Sequence, residues 1–191
     1  MNSYFEKMEC CAAQASNADE ASYTSLIALL GDENWRVRYA AAIALEDRRD
    51  PRAIAPLLQA LQAEEQAPLF SQPTLEGGAH AGSNIAFSVI FPPGTTDESK
   101  EAWRRRGRVM QAICLALGAI GKPSPAVLAA LHRYAIAQEC DYAVRAAACK
   151  ALGQLAQPES LPILTQAARD EEWCTGCEAR KAIKIIQGKM G

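Results

Sequence analysis

An all-α fold, a solenoid of about four helical hairpins, is what this sequence predicts, and three observations carry the prediction. Alanine supplies 37 of the 191 residues while aromatic residues make up 6%; small side chains in that number suit closely packed helices and give little to a β-sandwich. The segments VRYAAAIALE (37–46), VMQAICLALG (109–118), VRAAACKALG (144–153) and ARKAIKIIQG (179–188) follow one template, the last three at a step of 35. Proline recurs at Pro51, Pro123 and Pro158, each five residues after a template column of Glu46, Gly118 and Gly153 that ends in Gly188. A period near 35, with glycine closing the second helix of each unit and proline opening the next, marks stacked hairpins.

In chain order, the pattern Phe5, Met8, Ala12, Ala15 predicts a helix over 3–15, in a segment 1–18 that caps the first repeat, as a solenoid end requires. The first pair falls at about 20–30 and 33–46. The second opens at 51–62 and closes at 104–120, the third spans 123–137 and 140–155, and the fourth 158–169 and 176–188. The solenoid is therefore expected at 19–62 and 103–191. The first two template segments are 72 apart, so roughly 37 extra residues sit inside the second repeat, at 63–102. There Pro68, Pro73, Gly77, Gly78, Gly82, Pro92, Pro93 and Gly94 replace the helical period. IAFSVIF (85–91) has strand composition, and with an extended piece near Ala67–Ser71 it would form a short β-hairpin lying on the helices. Its apolar content favours an ordered, functional loop.

The formal net charge of −2 argues against attachment to nucleic acid through the overall field. Residues 1–24 lack the basic start and apolar run of an export signal, and no stretch reaches the apolar length of a membrane helix. A cytoplasmic protein without membrane insertion is expected. Seven cysteines, an odd number, then read as free thiols.

Four features could carry chemistry. Arg38, Arg145 and Arg180 share a template column that Met110 interrupts, and arginine there can bind carbonyls or carboxylates of the neighbouring repeat. Arg104, Arg105, Arg106 and Arg108, after Trp103, place four cations near a predicted helix N-terminus, which suits phosphate, carboxylate or an acidic protein surface. The acids Glu64, Glu65, Glu76, Asp97, Glu98 and Glu101 could instead neutralise them. Trp35, Trp103 and Trp173 each precede a second helix and could share a rim; with Arg36 they complete the expected partner-binding set. Cys174 and Cys177 form a CxxC, and Cys140 occupies the matching loop one repeat earlier, giving a three-thiol candidate for a metal or iron–sulfur group that lacks a fourth ligand. Cys114 and Cys149 share an alanine-like column and read as packing residues. No catalytic residue is assigned: His80 and His132 have no paired ligand, and neither a nucleophile elbow nor a phosphate-binding glycine loop is present.

The segments NWRVRYAAAIALEDRRDPRAIAPLLQAL and DYAVRAAACKALGQLAQPESLPIL closely resemble HEAT-like repeats of the phycobilisome-lyase type. The resemblance covers about 20–62 and 103–188. It implies that the second helices, at 35–46, 103–118, 140–153 and 176–188, line a concave surface that receives a protein partner. It also implies a choice of role. The first is a non-catalytic scaffold or an assembly or maintenance factor without a cofactor. The second is a bilin lyase or lyase subunit, in which Arg104 to Arg108 would meet the propionates of an open-chain tetrapyrrole and Cys174 or Cys177 would carry it. The partner would then be a phycobiliprotein or a second HEAT-like subunit. An iron–sulfur assembly helper using Cys140, Cys174 and Cys177 is a third reading. Deoxyhypusine hydroxylase is a further HEAT-like relative, but its iron-binding His-Glu pairs are absent here.

Overall fold

The computed structural model describes residues 3–17, 19–66, 74–78, 86–91 and 93–190. Nine α-helices lie among them: α1 (Tyr4–Ala15), α2 (Glu20–Leu29), α3 (Trp35–Arg48), α4 (Ile54–Gln66), α5 (Asp97–Ile120), α6 (Pro125–Ala135), α7 (Tyr142–Leu155), α8 (Leu161–Ala167) and α9 (Trp173–Met190). Most begin at a polar residue that accepts a backbone N–H of the first turn. Ser3 and Glu6 form a reciprocal box on α1, and Asp19, Asn34, Thr96, Ser124 and Asp141 cap α2, α3, α5, α6 and α7. Pro51 and Pro158 each open a single 3-10 turn that leads into α4 or α8.

The helices stack in two layers. α1, α3, α5, α7 and α9 follow one another side by side as an inner layer, each packed on the next. α2, α4, α6 and α8 form the outer layer, each against the inner helix that follows it. The core runs unbroken between the layers through Leu26, Leu45, Leu57, Leu61, Ile113, Leu117, Leu131, Leu152, Leu164 and Ile186, all essentially without solvent exposure. Burying each such side chain contributes about 2 kcal/mol. Because the apolar positions recur at the repeat period, the result is a continuous seam along an all-α solenoid.

Two sequence expectations about the template are corrected. Gly118 and Gly153 do not end their helices. A Cβ on Gly118 would lie 2.7 Å from the Cα and Cβ of Ala151, and one on Gly153 would lie 2.9 Å from the Cβ of Ala182, so these glycines let successive inner helices approach closely. The left-handed cap sits three residues later, at Arg49 (φ 54°), Gly121 (φ 70°) and Ala156 (φ 52°), and only the middle one is glycine.

The arginine column ties down each hairpin's own turn and, at Arg145 and Arg38, joins it to the next hairpin. Arg145 donates from Nε and Nη2 to both Asp170 carboxylate oxygens at 2.8 and 3.1 Å, and from Nη1 to the Cys140 carbonyl at 2.8 Å. Both side chains are all but sealed from water, at 1% and 3% exposure. Arg38 repeats the arrangement, with Nε to Glu64 of α4 at 2.5 Å and Nη1 to the carbonyls of Asp32 and Glu33. Arg180 keeps the carbonyl half alone, to Ala168 at 2.9 Å. Where Met110 interrupts the column, Glu65 of α4 accepts instead from Arg133 and from the Tyr134 hydroxyl on α6.

The stretch expected to be loop at 63–102 is shortened at both ends, because α4 continues to Gln66 and α5 already begins at Asp97 behind the Thr96 cap. Two antiparallel strands lie between them, β1 (Thr74–Gly78) and β2 (Ala86–Ile90), in register from Thr74 opposite Ile90 to Gly78 opposite Ala86. Of IAFSVIF, residues 86–90 pair with 74–78, so Gly77 and Gly78 are strand residues; the partner expected at Ala67–Ser71 lies outside the described residues, as do His80 and Pro68. Phe91, just after β2, meets the Trp103 ring edge-on at 5.5 Å and anchors the hairpin's exit to α5. At Gly107 a Cβ would stand 2.9 Å from that of Asp141, the cap of α7. The ten residues of α5 before Gly107, about 15 Å of helix, precede this approach, and Trp103 among them packs against the turn that leads into α7.

Candidate functional site

Two hollows line the open face of the inner layer and meet at Gln111, Tyr142 and Ala143, forming one trough. The first, of about 480 Å³, is bounded by Tyr39 on α3, Trp103, Arg104 and Arg108 on α5, and Asp141 at the head of α7. The second, of about 260 Å³, continues over Leu115, Ala146, Ala147 and Lys150 to Cys174 and Glu178 on α9. Its floor is alanine because α7 carries small residues at each turn that faces the trough, which keeps the floor low between taller walls.

The arginine run separates by helical phase. Arg104 and Arg108, one turn apart, face the trough and are exposed. Arg105 points to solvent and pairs with Glu101 at 3.0 Å. Arg106 is turned inward and buried, at 7% exposure, beside Met110, Cys140, Glu65 and Arg133 in a cavity of about 60 Å³. It belongs to the interior and is corrected from the partner-binding set. The run also lies in the third and fourth turns of α5, so its own backbone N–H groups are bound within the helix and the expected anion site at a helix N-terminus is absent. Of the acids expected to neutralise it, Glu101 touches Arg105 and, at 4.0 Å, Arg104, whereas Glu64 and Glu65 serve Arg38 and Arg133. Arg104 additionally lies over the Phe91 ring, 5.7 Å from its centre.

The three tryptophans do not share a rim. Trp103 is buried, its indole N–H donating to the Glu139 carbonyl at 3.4 Å, and with Asp141 it walls the cavity off from the trough. Trp35 is half-buried beneath the Arg36 guanidinium at 4.9 Å, with its N–H unpartnered among the described residues. Trp173, at the start of α9, is 60% exposed. Tyr39 and Tyr142, absent from the expected set, border the trough beside Trp103; Tyr142 opens α7 as Trp35 opens α3 and Trp173 opens α9.

Electrostatics set the state of the walls. Burial pushes the Asp141 carboxyl above the usual aspartate range, against the Ala143 N–H it accepts and the nearby Arg145, Arg108 and Arg104. Burial pushes the Cys140 thiol up to about 12, and the Cys174 thiol is raised by burial and by Glu172. Neutral thiols are poor nucleophiles and poor ligands. Cys140 lines the cavity while Cys174 lines the trough, so the expected three-thiol set does not converge. Among the described residues no group of three His, Cys, Asp or Glu side chains is placed to hold a metal. Cys114 and Cys149 are fully buried packing residues. His132 Nε2 meets the Ser160 Oγ at 2.9 Å, a Ser–His contact between α6 and the turn before α8, but Ser160 is fully buried and packs as part of the interior.

Among the described residues no helix is long and apolar enough to cross a membrane. No curated protein sequence matches the chain. A family model for HEAT repeats matches residues 7–69 and 132–189, leaving between them both strands, α5 and the first half of α6. Those two matches span more than half of the sequence and coincide with the hairpins whose layers and arginine staples are described above; the chain belongs to the HEAT repeat family.

Proposed function

We propose that the protein is a cytoplasmic, non-catalytic scaffold or assembly factor that holds another protein against the trough of its inner layer. HEAT repeats serve protein–protein interaction in general, and the observation that supports the reading here is the trough's continuity across α3, α5, α7 and α9. Four helices present walls, an alanine floor and exposed arginines. The segments 1–18, 19–62 with 103–191, and 63–102 then act as end cap, stack and selectivity element. Affinity capture from the native extract tests it. Ala146→Phe, which raises the floor, and Tyr142→Ala, which lowers a wall, should each reduce recovery of the partner at least tenfold. Recovery unchanged by both would end this reading.

A second reading, a bilin lyase subunit of the phycobilisome-lyase type acting on a phycobiliprotein or with a second HEAT-like subunit, draws support from Arg104 and Arg108. They stand one turn apart on the wall of a hollow of about 480 Å³, as the two propionates of an open-chain tetrapyrrole would require. Cys174 borders the same trough, but its raised thiol disfavours the thiolate that a carrier needs. Visible absorbance in the captured eluate, abolished by Arg104→Ala with Arg108→Ala, distinguishes this reading from the scaffold. The iron–sulfur reading has no converging ligand set to support it.

A further inference from the structure

We propose that the occupant of the trough is an acidic segment of a partner protein, with carboxylates set against Arg104, Arg108 and Lys150 and small apolar side chains on the alanine floor. The proposal rests on the trough being the docking surface and adds the chemistry of what docks. The argument concerns which groups in the trough are already engaged. Asp141 accepts the Ala143 N–H at 2.9 Å and caps α7, so its carboxylate is occupied by its own helix. Glu178 is paired with Lys181 at 2.6 Å. The carboxylates of the trough are thereby engaged within the chain.

Its cations are engaged differently. Arg108 and Lys150 make no hydrogen bond or ion pair with any described residue, and both are exposed. They act through space alone, Arg108 on Asp141 and Lys150 on Glu46 of α3. Arg104 has one long contact, to Glu101 at 4.0 Å, and rests on Phe91, which fixes its direction while leaving its donors available. Among the charged groups that line the trough, those without a bonded partner are therefore cationic, in a chain whose net charge is −2.

Geometry adds a spacing. Arg104 and Arg108 are one helical turn apart, about 6 Å along α5, which matches carboxylates three or four residues apart on a helix. Lys150 lies two turns beyond Tyr142 along α7, over Ala146 and Ala147, so a cation stands at each end of the apolar floor. A segment with an acidic cluster, a small apolar middle and a further acid fits that order. Arginine can grip such carboxylates with two parallel bonds, while the floor admits close approach and excludes water around them. This is the helix-in-groove arrangement with charged ends.

The test uses the full chain and a synthetic probe. A rhodamine-labelled 20-residue helical peptide of glutamate and alanine is titrated in fluorescence anisotropy at low and at physiological salt, beside the same peptide with glutamine for glutamate. The acidic peptide should bind, weaken with salt, and lose at least tenfold in affinity with Arg108→Glu or Lys150→Glu. The remote Lys189→Glu should leave it unchanged. Both trough positions are exposed and unbonded, so folding of the variants, checked by circular dichroism, is expected to be intact. Equal binding of the glutamine peptide, indifference to Arg108→Glu, or tighter binding of a single-stranded DNA oligonucleotide would each overturn the proposal. If the acidic peptide fails while Ala146→Phe still abolishes capture of the native partner, the trough stands and its acidic occupant is wrong. If Ala146→Phe also leaves capture intact, the docking surface itself is wrong.

Discussion

Replacing Arg145 by methionine tests how the stack is held. Its guanidinium and the Asp170 carboxylate are 1% and 3% exposed and share two hydrogen bonds, and a third goes to the Cys140 carbonyl. Arg145→Met keeps most of the aliphatic volume but leaves Asp170 charged and buried, held by the Gln138 amide at 3.2 Å and the Glu172 N–H at 2.9 Å. Breaking a buried pair from one side costs about 3–5 kcal/mol, and for a chain of this length each kcal/mol moves the midpoint by roughly 2–4 °C. A fall near 10 °C is therefore expected in thermal scans, with a matching loss in urea titrations followed by circular dichroism. Most of the loss comes from the orphaned charge, so Arg145→Met with Asp170→Asn should recover more than half of it, Asn still accepting the Glu172 N–H. Removal of the exposed Arg52, bound to Asp50 and Glu20, should leave the midpoint nearly unchanged. A single variant that costs under about 1 kcal/mol, or a double variant no better than the single, would refute the reasoning.

Glycines of one template column should respond with opposite signs. Gly118→Ala forces a Cβ against Ala151 and should destabilise by about 1–3 kcal/mol, whereas Gly188, with nothing within 4 Å, should gain about 1 kcal/mol as alanine; chemical denaturation reads both. Ala156→Gly relieves a left-handed residue and should stabilise by about 1 kcal/mol, checked in the same assay. For Asp141 the folded carboxyl titrates above the unfolded one, so in the window between them the native state binds more protons and stability falls as pH rises. Asp141→Asn, which retains the cap, should therefore be at least as stable as the parent at pH 7, and the parent should gain on it as pH is lowered toward 4; denaturation midpoints across pH measure the difference. Under iodoacetamide at neutral pH, mass spectrometry should find Cys10, Cys174 and Cys177 modified first, with the fully buried Cys11, Cys114 and Cys149 modified after unfolding.

The stack was legible because its physics is periodic. A helical hairpin buries its seam against copies of itself, so leucine, alanine and arginine must recur at the repeat step, and the columns of Arg38, Arg145 and Arg180 and the helix positions follow directly. Glycine was misread because a stop and a close approach leave the same mark. Gly118 and Gly153 sit near helix ends, while two of the three true left-handed caps, Arg49 and Ala156, carry no glycine to announce them. The start of α5 is hidden because its Thr96 cap directly follows Pro92, Pro93 and Gly94, residues that mark a loop equally well. The arginine run illustrates the limit of composition. Trp103, Arg106, Gly107 and Met110 recur at three and four residues and form the buried stripe of α5, which turns Arg104 and Arg108 outward. That phase was available in the sequence once Trp103 was assigned to the interior. Tyr39 and Tyr142 could not be found the same way, since a trough wall is created by neighbours that are distant in sequence.

The overlong first half of α5 acts as a bracket. Ser99 and Trp103 are buried in that half, and Phe91 at the hairpin's exit meets Trp103 edge-on, so the strands are tied to α5 through an aromatic contact next to the packed seam. Strands of another sequence that kept Phe91 would leave that tie in place.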